Sequence, residues 1–255
     1  MQEETVSLLF SGGADSTFSA ALLAERFGHV HLVTFKHYAT WRVRSSDKSE
    51  ARLRAAFPRT VFTHTYLNSS RLFFKLQKRV FRDLQAHPFL NHYFCGACKL
   101  AMHSCLVAHN MRSSIKHAAS GASRLMPMFP DQTPGGSQAI KELYAAYGMS
   151  YENPVFDMEG VDRKAAELGL LSEKHLKARH KADFTRISDL LVPVRNALSN
   201  TQGFCFFIAA VDPYISMAEK EYTKKEISEM SLAYFHKTIN EECRPWIDAE
   251  ISGKR

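Results

Sequence analysis

The residues best equipped for chemistry stand near the start of the chain, in Ser11-Gly12-Gly13-Ala14-Asp15-Ser16. Two consecutive glycines let a backbone turn tightly and approach a ligand closely. Backbone N–H groups at a helix start, with the helix dipole behind them, suit phosphate oxygens. Ser11 and Ser16 add hydroxyl donors. A carboxylate beside a phosphate is repelled unless a Mg2+ lies between them, so Asp15 points to a metal–nucleotide pair rather than a bare anion. The spacing is neither G-x-x-x-x-G-K-[ST] nor G-x-G-x-x-G. A glycine turn with an aspartate cap would account for Asp15, but not for all six residues between a strand and a helix.

The cysteines are the second group. There are five, at 95, 98, 105, 205 and 243. Cys95-Gly96-Ala97-Cys98 opens a helix, and its spacing puts both sulfurs on one side of a tight turn, ready for one metal or one disulfide. It is half of a zinc site, and no second such pair follows. Cys205 stands alone in Gly203-Phe204-Cys205-Phe206-Phe207, where a buried core thiol is the competing reading. Cys105 and Cys243 read as structural. Twelve histidines are scattered without ligand spacing, and each reads as surface or core. Arg71, Lys75, Lys78, Arg79 and Arg82 recur at helical spacing among Phe73, Phe74, Leu76 and Phe81. Lys174 to Lys181, with Arg186, makes a second basic cluster. Both suit a phosphate backbone, and both equally suit a solvated helix face.

These groups need elements to hold them. Residues 5–10 predict a strand, Asp15 to Arg26 a helix, and His29 to Lys36 a second strand. Strand, glycine turn, helix and strand within about 30 residues make a βαβ unit and a parallel sheet. Helices follow over Ser46–Phe57 and Arg71–Gln85, with a strand over Thr60–Tyr66 between them. A helix from the C-x-x-C to Asn110 and a fourth strand over Ser114–Ala119 come next. Three prolines and two glycines predict a functional loop over 124–139. A short helix over Lys141–Tyr147, an extended stretch over Tyr151–Phe156 and a helix over Val161–Leu168 complete the pattern. A long polar helix is expected over Lys220–Ile239. The expected division is an α/β nucleotide-binding domain over residues 1–170 and a helical, basic region over 171–255.

Composition narrows the classes. Of 255 residues, 45% are hydrophobic and 23% charged, which excludes wholesale disorder and needs no disulfide staple for a core. No stretch reaches the ~18 apolar residues of a membrane span. The first residues, Met1-Gln2-Glu3-Glu4-Thr5, are acidic where a secretory signal is basic, so a cytoplasmic location and reduced thiols are expected. The formal charge of +7 favours an anionic partner such as a nucleotide or RNA.

The hexamer matches S-G-G-x-D-S, and on it the chain resembles the PP-loop ATP pyrophosphatase superfamily, over about residues 5–170. The fold implied is a Rossmann-like (HUP-type) parallel sheet with helices on both faces, followed by a mostly helical C-terminal region. The activity implied is cleavage of ATP between the α- and β-phosphates, adenylation of a substrate oxygen and release of pyrophosphate. ATP and Mg2+ would be held by Phe10, Ser11, Gly12, Gly13, Asp15 and Ser16, with Thr34 and Phe35 near the adenine and Ser120 and Gly121 closing over the nucleotide. Many members read T-G-H after the fourth strand. Here Ala119-Ser120-Gly121-Ala122-Ser123 lacks the histidine, and Asp131 stands for the downstream acid. Pro154-Val155-Phe156, Asp162-Arg163-Lys164 and Leu168-Gly169 resemble a late segment of the same fold.

In cysteine order the chain resembles the tRNA-thiolating branches of that superfamily. One branch holds a 4Fe–4S cluster on three cysteines, and another carries a persulfide resolved by a second cysteine. Either scheme assigns Cys95, Cys98 and Cys205, with Asp15, Cys98 and Cys205 as catalytic residues, a tRNA or other RNA as acceptor, and a sulfur-donor protein or sulfide as source. A ligase making an amide-type bond on a small metabolite, with structural or zinc-binding cysteines, and a non-catalytic nucleotide-binding protein remain as alternatives. The oligomeric state stays open.

Overall fold

The computed structural model describes residues 2–41, 43–124, 128–171, 204–205 and 221–253. Strands β1 (Gln2–Leu9), β2 (Phe27–Lys36), β4 (Val61–Asn68), β5 (His117–Ser120) and β6 (Ser150–Glu152) form one sheet in the order β4-β2-β1-β5-β6. Every pairing in it is parallel. The two-residue β3 (Thr40–Trp41) lies outside this sheet and pairs antiparallel with β7 (Phe204–Cys205).

Parallel strands covered on both faces bury both sets of alternate side chains. Val6, Leu8, Val30 and Leu32 enter one core, and Val33, Phe35 and Ala118 enter the other. The first core is roofed by α1 (Ala14–Ala24), α2 (Ser46–Ala56) and α7 (Val161–Glu167). The second lies under α3 (Ser70–Gln77), α5 (Cys95–Arg112) and α6 (Pro134–Ala145). It also takes α8 (Lys224–Thr238) and α9 (Arg244–Ile251), joined by a π-helical segment over Ile239–Cys243. This is the expected α/β architecture, Rossmann-like, with helices on both faces. A polar residue in the central strand, Ser7, is fully buried and is satisfied by a 2.6 Å hydrogen bond from Asn110 Nδ2 of α5.

Two expectations need correction. Residues 134–139 are not loop: α6 starts at Pro134, capped by Thr133, whose Oγ1 accepts from the Gly136 N–H at 3.0 Å. Proline is tolerated in a first helical turn, where its missing N–H costs nothing. The glycines serve packing. A Cβ on Gly135 would lie 2.2 Å from the Ser228 carbonyl oxygen of α8, and one on Gly136 1.8 Å from that of Pro130. The helix expected over Arg71–Gln85 is two, α3 and the single-turn α4 (Val80–Asp83). The break falls where Arg79 turns inward to carboxylates of Asp83, Glu241 and Glu242.

Candidate nucleotide and cysteine site

The hexamer forms the turn from β1 into α1. Gly12 has φ +76°, a left-handed conformation, and a Cβ there would sit 2.7 Å from Ser46 Cα at the start of α2. Ser49 Oγ of α2 donates to the Gly12 carbonyl at 2.8 Å. Gly13 caps α1 in extended conformation. The two serines tie the turn together. Their hydroxyls lie 3.1 Å apart, the Gly13 N–H donates to Ser11 Oγ at 3.2 Å, and Ser16 Oγ donates to the Gly13 carbonyl at 3.1 Å. Asp15 stands in the first turn of α1, half-buried. From β5, Gly121 closes on the same turn: its Cβ would lie 2.6 Å from the Ser16 backbone nitrogen. Ser120 Oγ donates to Asn153 Oδ1 at 2.6 Å and lies 2.8 Å from the Tyr151 hydroxyl.

The remaining nucleotide-side residues divide. Thr34 Oγ1 donates to the Phe10 carbonyl at 2.6 Å, which joins β2 to the base of the turn, and lies 2.7 Å from His64 Nε2. The side chains of Phe10 and Phe35 are buried in opposite cores, so only their backbones are available to a ligand.

Cys95 and Cys98 occupy the first turn of α5, both half-buried. Cys98 Sγ lies 3.4 Å from Nε2 of His37, the residue that follows β2. Burial lowers His37 to about 4. Next to Cys98, Lys99 Nζ meets Asp131 Oδ2 at 3.1 Å. That carboxylate raises the lysine above its ordinary value, and the Cys98 and Cys95 thiols act in the same direction. Asp131 is almost fully buried, and its Oδ1 has no hydrogen-bond partner among the described residues. The backbone of Cys205 stands opposite Thr40 in the β3–β7 pair, three residues beyond His37. Cys105, on α5, and Cys243 lie in the second core, and burial pushes the Cys243 thiol up to about 12.

Sequence reasoning passed over His37, His64 and Lys99. The only available signals were position, directly after a strand for His37 and directly after Cys98 for Lys99. His64 Nδ1 lies 2.7 Å from Glu50 Oε2 and 3.8 Å from Asp47 Oδ1, and these three residues form one compact group of potential ligands. The first basic cluster is mostly spent on structure: Lys75 pairs with Glu242 at 2.8 Å, and Arg79 and Arg82 pair with Asp83 and Glu241. The second, Lys174 to Lys181 with Arg186, lies outside the described residues.

No family model matches the chain, and no curated protein matches it. Among solved structures it is similar to a predicted subunit of a tRNA methyltransferase from Methanocaldococcus jannaschii, at 18% identity and a TM-score of 0.42, over 64% of this chain and 75% of that one. It is also similar to the U34-tRNA thiolase NcsA from Methanococcus maripaludis with its [4Fe-4S] cluster, at 10% identity and a TM-score of 0.43, over 94% of this chain and 74% of that one. Likenesses of this degree carry no argument about activity.

Proposed function

We propose that this chain is an ATP-dependent adenylating enzyme that activates an oxygen of an RNA, a tRNA, and then replaces it with sulfur. The observation that supports this is the meeting of two groups along one strand. Thr34 bonds the carbonyl at the base of the S-G-G-x-D-S turn, and His37, beside Cys98, lies three residues further on. At ~3.3 Å per strand residue that is roughly 10 Å, within reach of one bound adenylate.

The chain's residues divide the work. The turn and the start of α1 hold the phosphates through backbone N–H groups and the two serine hydroxyls, which exchange their mutual hydrogen bond for phosphate oxygens. Asp15 suits a Mg2+ that offsets the charge of departing pyrophosphate. Gly121 keeps the β5 loop against the turn. Lys99, held charged by Asp131, adds a cation beside the thiols. Thiolates are soft ligands, so the Cys95–Cys98 turn suits iron–sulfur or zinc over hard cations. Cys95, Cys98 and Cys205 would hold a 4Fe–4S cluster, which would supply a binding place for sulfide from the donor; as the new carbon–sulfur bond forms, the carbon–oxygen bond breaks and the oxygen leaves with AMP.

The test is anaerobic purification with iron and acid-labile sulfide analysis, followed by pyrophosphate release from ATP with and without bulk tRNA. Near-equal iron and sulfide, lost in Cys95→Ser, and tRNA-dependent pyrophosphate, lost in Asp15→Ala, are expected. Pyrophosphate release with a small-molecule acceptor and not with tRNA would replace this reading with a metabolite ligase.

A further inference from the structure

We propose that His37 is a positioning residue whose Nε2–H is held as a permanent hydrogen-bond donor to the Cys98 sulfur, so that it tunes the cluster without ever ligating it. This rests on the reading of Cys98 as a cluster ligand. The wiring of the turn over residues 37–40 sets this orientation.

The ring is immobilised by its own backbone. The Thr40 N–H donates to the His37 carbonyl at 2.9 Å, the His37 N–H donates to Thr40 Oγ1 at 2.9 Å, and Thr40 Oγ1 donates back to that carbonyl at 2.8 Å. Phe73 packs edge-on against the imidazole at 4.8 Å between centroids, and Tyr38 at 6.0 Å. Inside this turn the Ala39 N–H donates to His37 Nδ1 at 3.2 Å. A backbone amide is only a donor on its nitrogen side, so Nδ1 must present its lone pair. The ring's one proton is therefore on Nε2, and Nε2 faces Cys98 Sγ at 3.4 Å. A ring flip would put a C–H against the Ala39 amide and lose the bond.

Three consequences follow. His37 does not accept the Cys98 proton, because its accepting nitrogen is already taken. It does not serve as a fourth metal ligand, because baring Nε2 would move the proton to Nδ1, against the Ala39 N–H. In a cluster held by the cysteines it would therefore not take a coordination place, but would draw charge from the Cys98 sulfur. Hydrogen bonds to ligating sulfur favour the reduced cluster and raise its potential.

The experiment compares wild type, His37→Phe and His37→Gln as full-length, cluster-reconstituted proteins in an anaerobic redox titration followed by EPR. Phe keeps a ring without the donor, and the Gln side-chain amide restores an N–H near Nε2. The expected result is a midpoint potential shifted negative in His37→Phe and returned toward wild type in His37→Gln. Equal potentials in all three, or a positive shift in His37→Phe, would overturn the inference. Two-bond 1H–15N correlation spectra of histidine-labelled, metal-free wild type and Cys98→Ala give a second readout. The Nε2-protonated tautomer is expected in both, since Ala39 rather than Cys98 sets it, and an Nδ1-protonated ring would refute the wiring. A wild type that takes up no cluster would sink the functional reading, while the tautomer would still decide the role of His37.

Discussion

Gly121 leaves no room for a side chain, because a Cβ there meets the backbone of Asp15 and Ser16 at 2.6–2.8 Å. The obstacle is the first turn of a helix, which cannot swing aside as a side-chain tip could. Gly121→Ala should therefore shift the turn or the β5 loop and cost about 1–3 kcal/mol of stability, as overpacking does. A displacement near 1 Å at a reacting site costs on the order of 100-fold in rate, so under the proposed function pyrophosphate release should fall that far while the protein still folds. Urea unfolding and a coupled pyrophosphate assay on the same preparation separate the two effects. Gly148, which also has positive φ but open space around it, is the control: Gly148→Ala should lower stability slightly and leave pyrophosphate release unchanged.

At the scale of elements, the join between α4 and the π segment after α8 depends on one buried cation. The Arg79 guanidinium is nearly inaccessible and lies 2.7 Å from Asp83 and 2.9 Å from Glu241. Several of these contacts are ion pairs without linear hydrogen-bond geometry, so charge balance rather than bond direction holds them. Removing one partner of a buried pair leaves the other charge uncompensated and costs about 3–5 kcal/mol. Arg79→Ala should lose stability of that order in urea titration, and Arg71→Ala, at an exposed position of α3, should lose almost none. The same feature explains what the sequence could not reveal. Arg79 and Lys78 are neighbours with the same charge, yet one is buried among acids and the other lies over the Phe74 ring in solvent. Helical periodicity ranks them together because two of the three acids that claim Arg79, Glu241 and Glu242, are more than 150 residues away in the chain. Gly135 and Gly136 misled for a parallel reason: locally they signal a loop, and only the approach of α8 turns them into packing residues. The strand–turn–helix at Ser11 was legible because its whole logic lies within six residues, and the C-x-x-C likewise; His37 and Lys99 acquire meaning only from contacts across the fold.

For the whole molecule, acid is the expected weakness. Burial lowers His92 and His103 to about 3 and His31 to about 4, from an ordinary value of 6.5. These rings stay neutral in the fold but take up protons once the chain unfolds. Between pH 6.5 and those lowered values the unfolded state binds more protons, so stability falls as pH falls. The urea midpoint should be lower at pH 5 than at pH 7. His103→Gln should reduce that difference, and an unchanged midpoint across this range would contradict the burial of these rings.

The placement of β1 at the middle of the sheet has a consequence for biosynthesis. β1 leaves the ribosome before both of its neighbours, since Val6 must pair with Val30 on one side and His117 on the other. At about 5–20 residues per second, the second partner emerges on the order of ten seconds after the first strand. Throughout that interval an apolar strand with one unpaired edge is exposed in the cell. Until β5 arrives, that edge is open to strands of other chains, an exposure that a central first strand imposes on a parallel sheet whatever the stability of the finished fold.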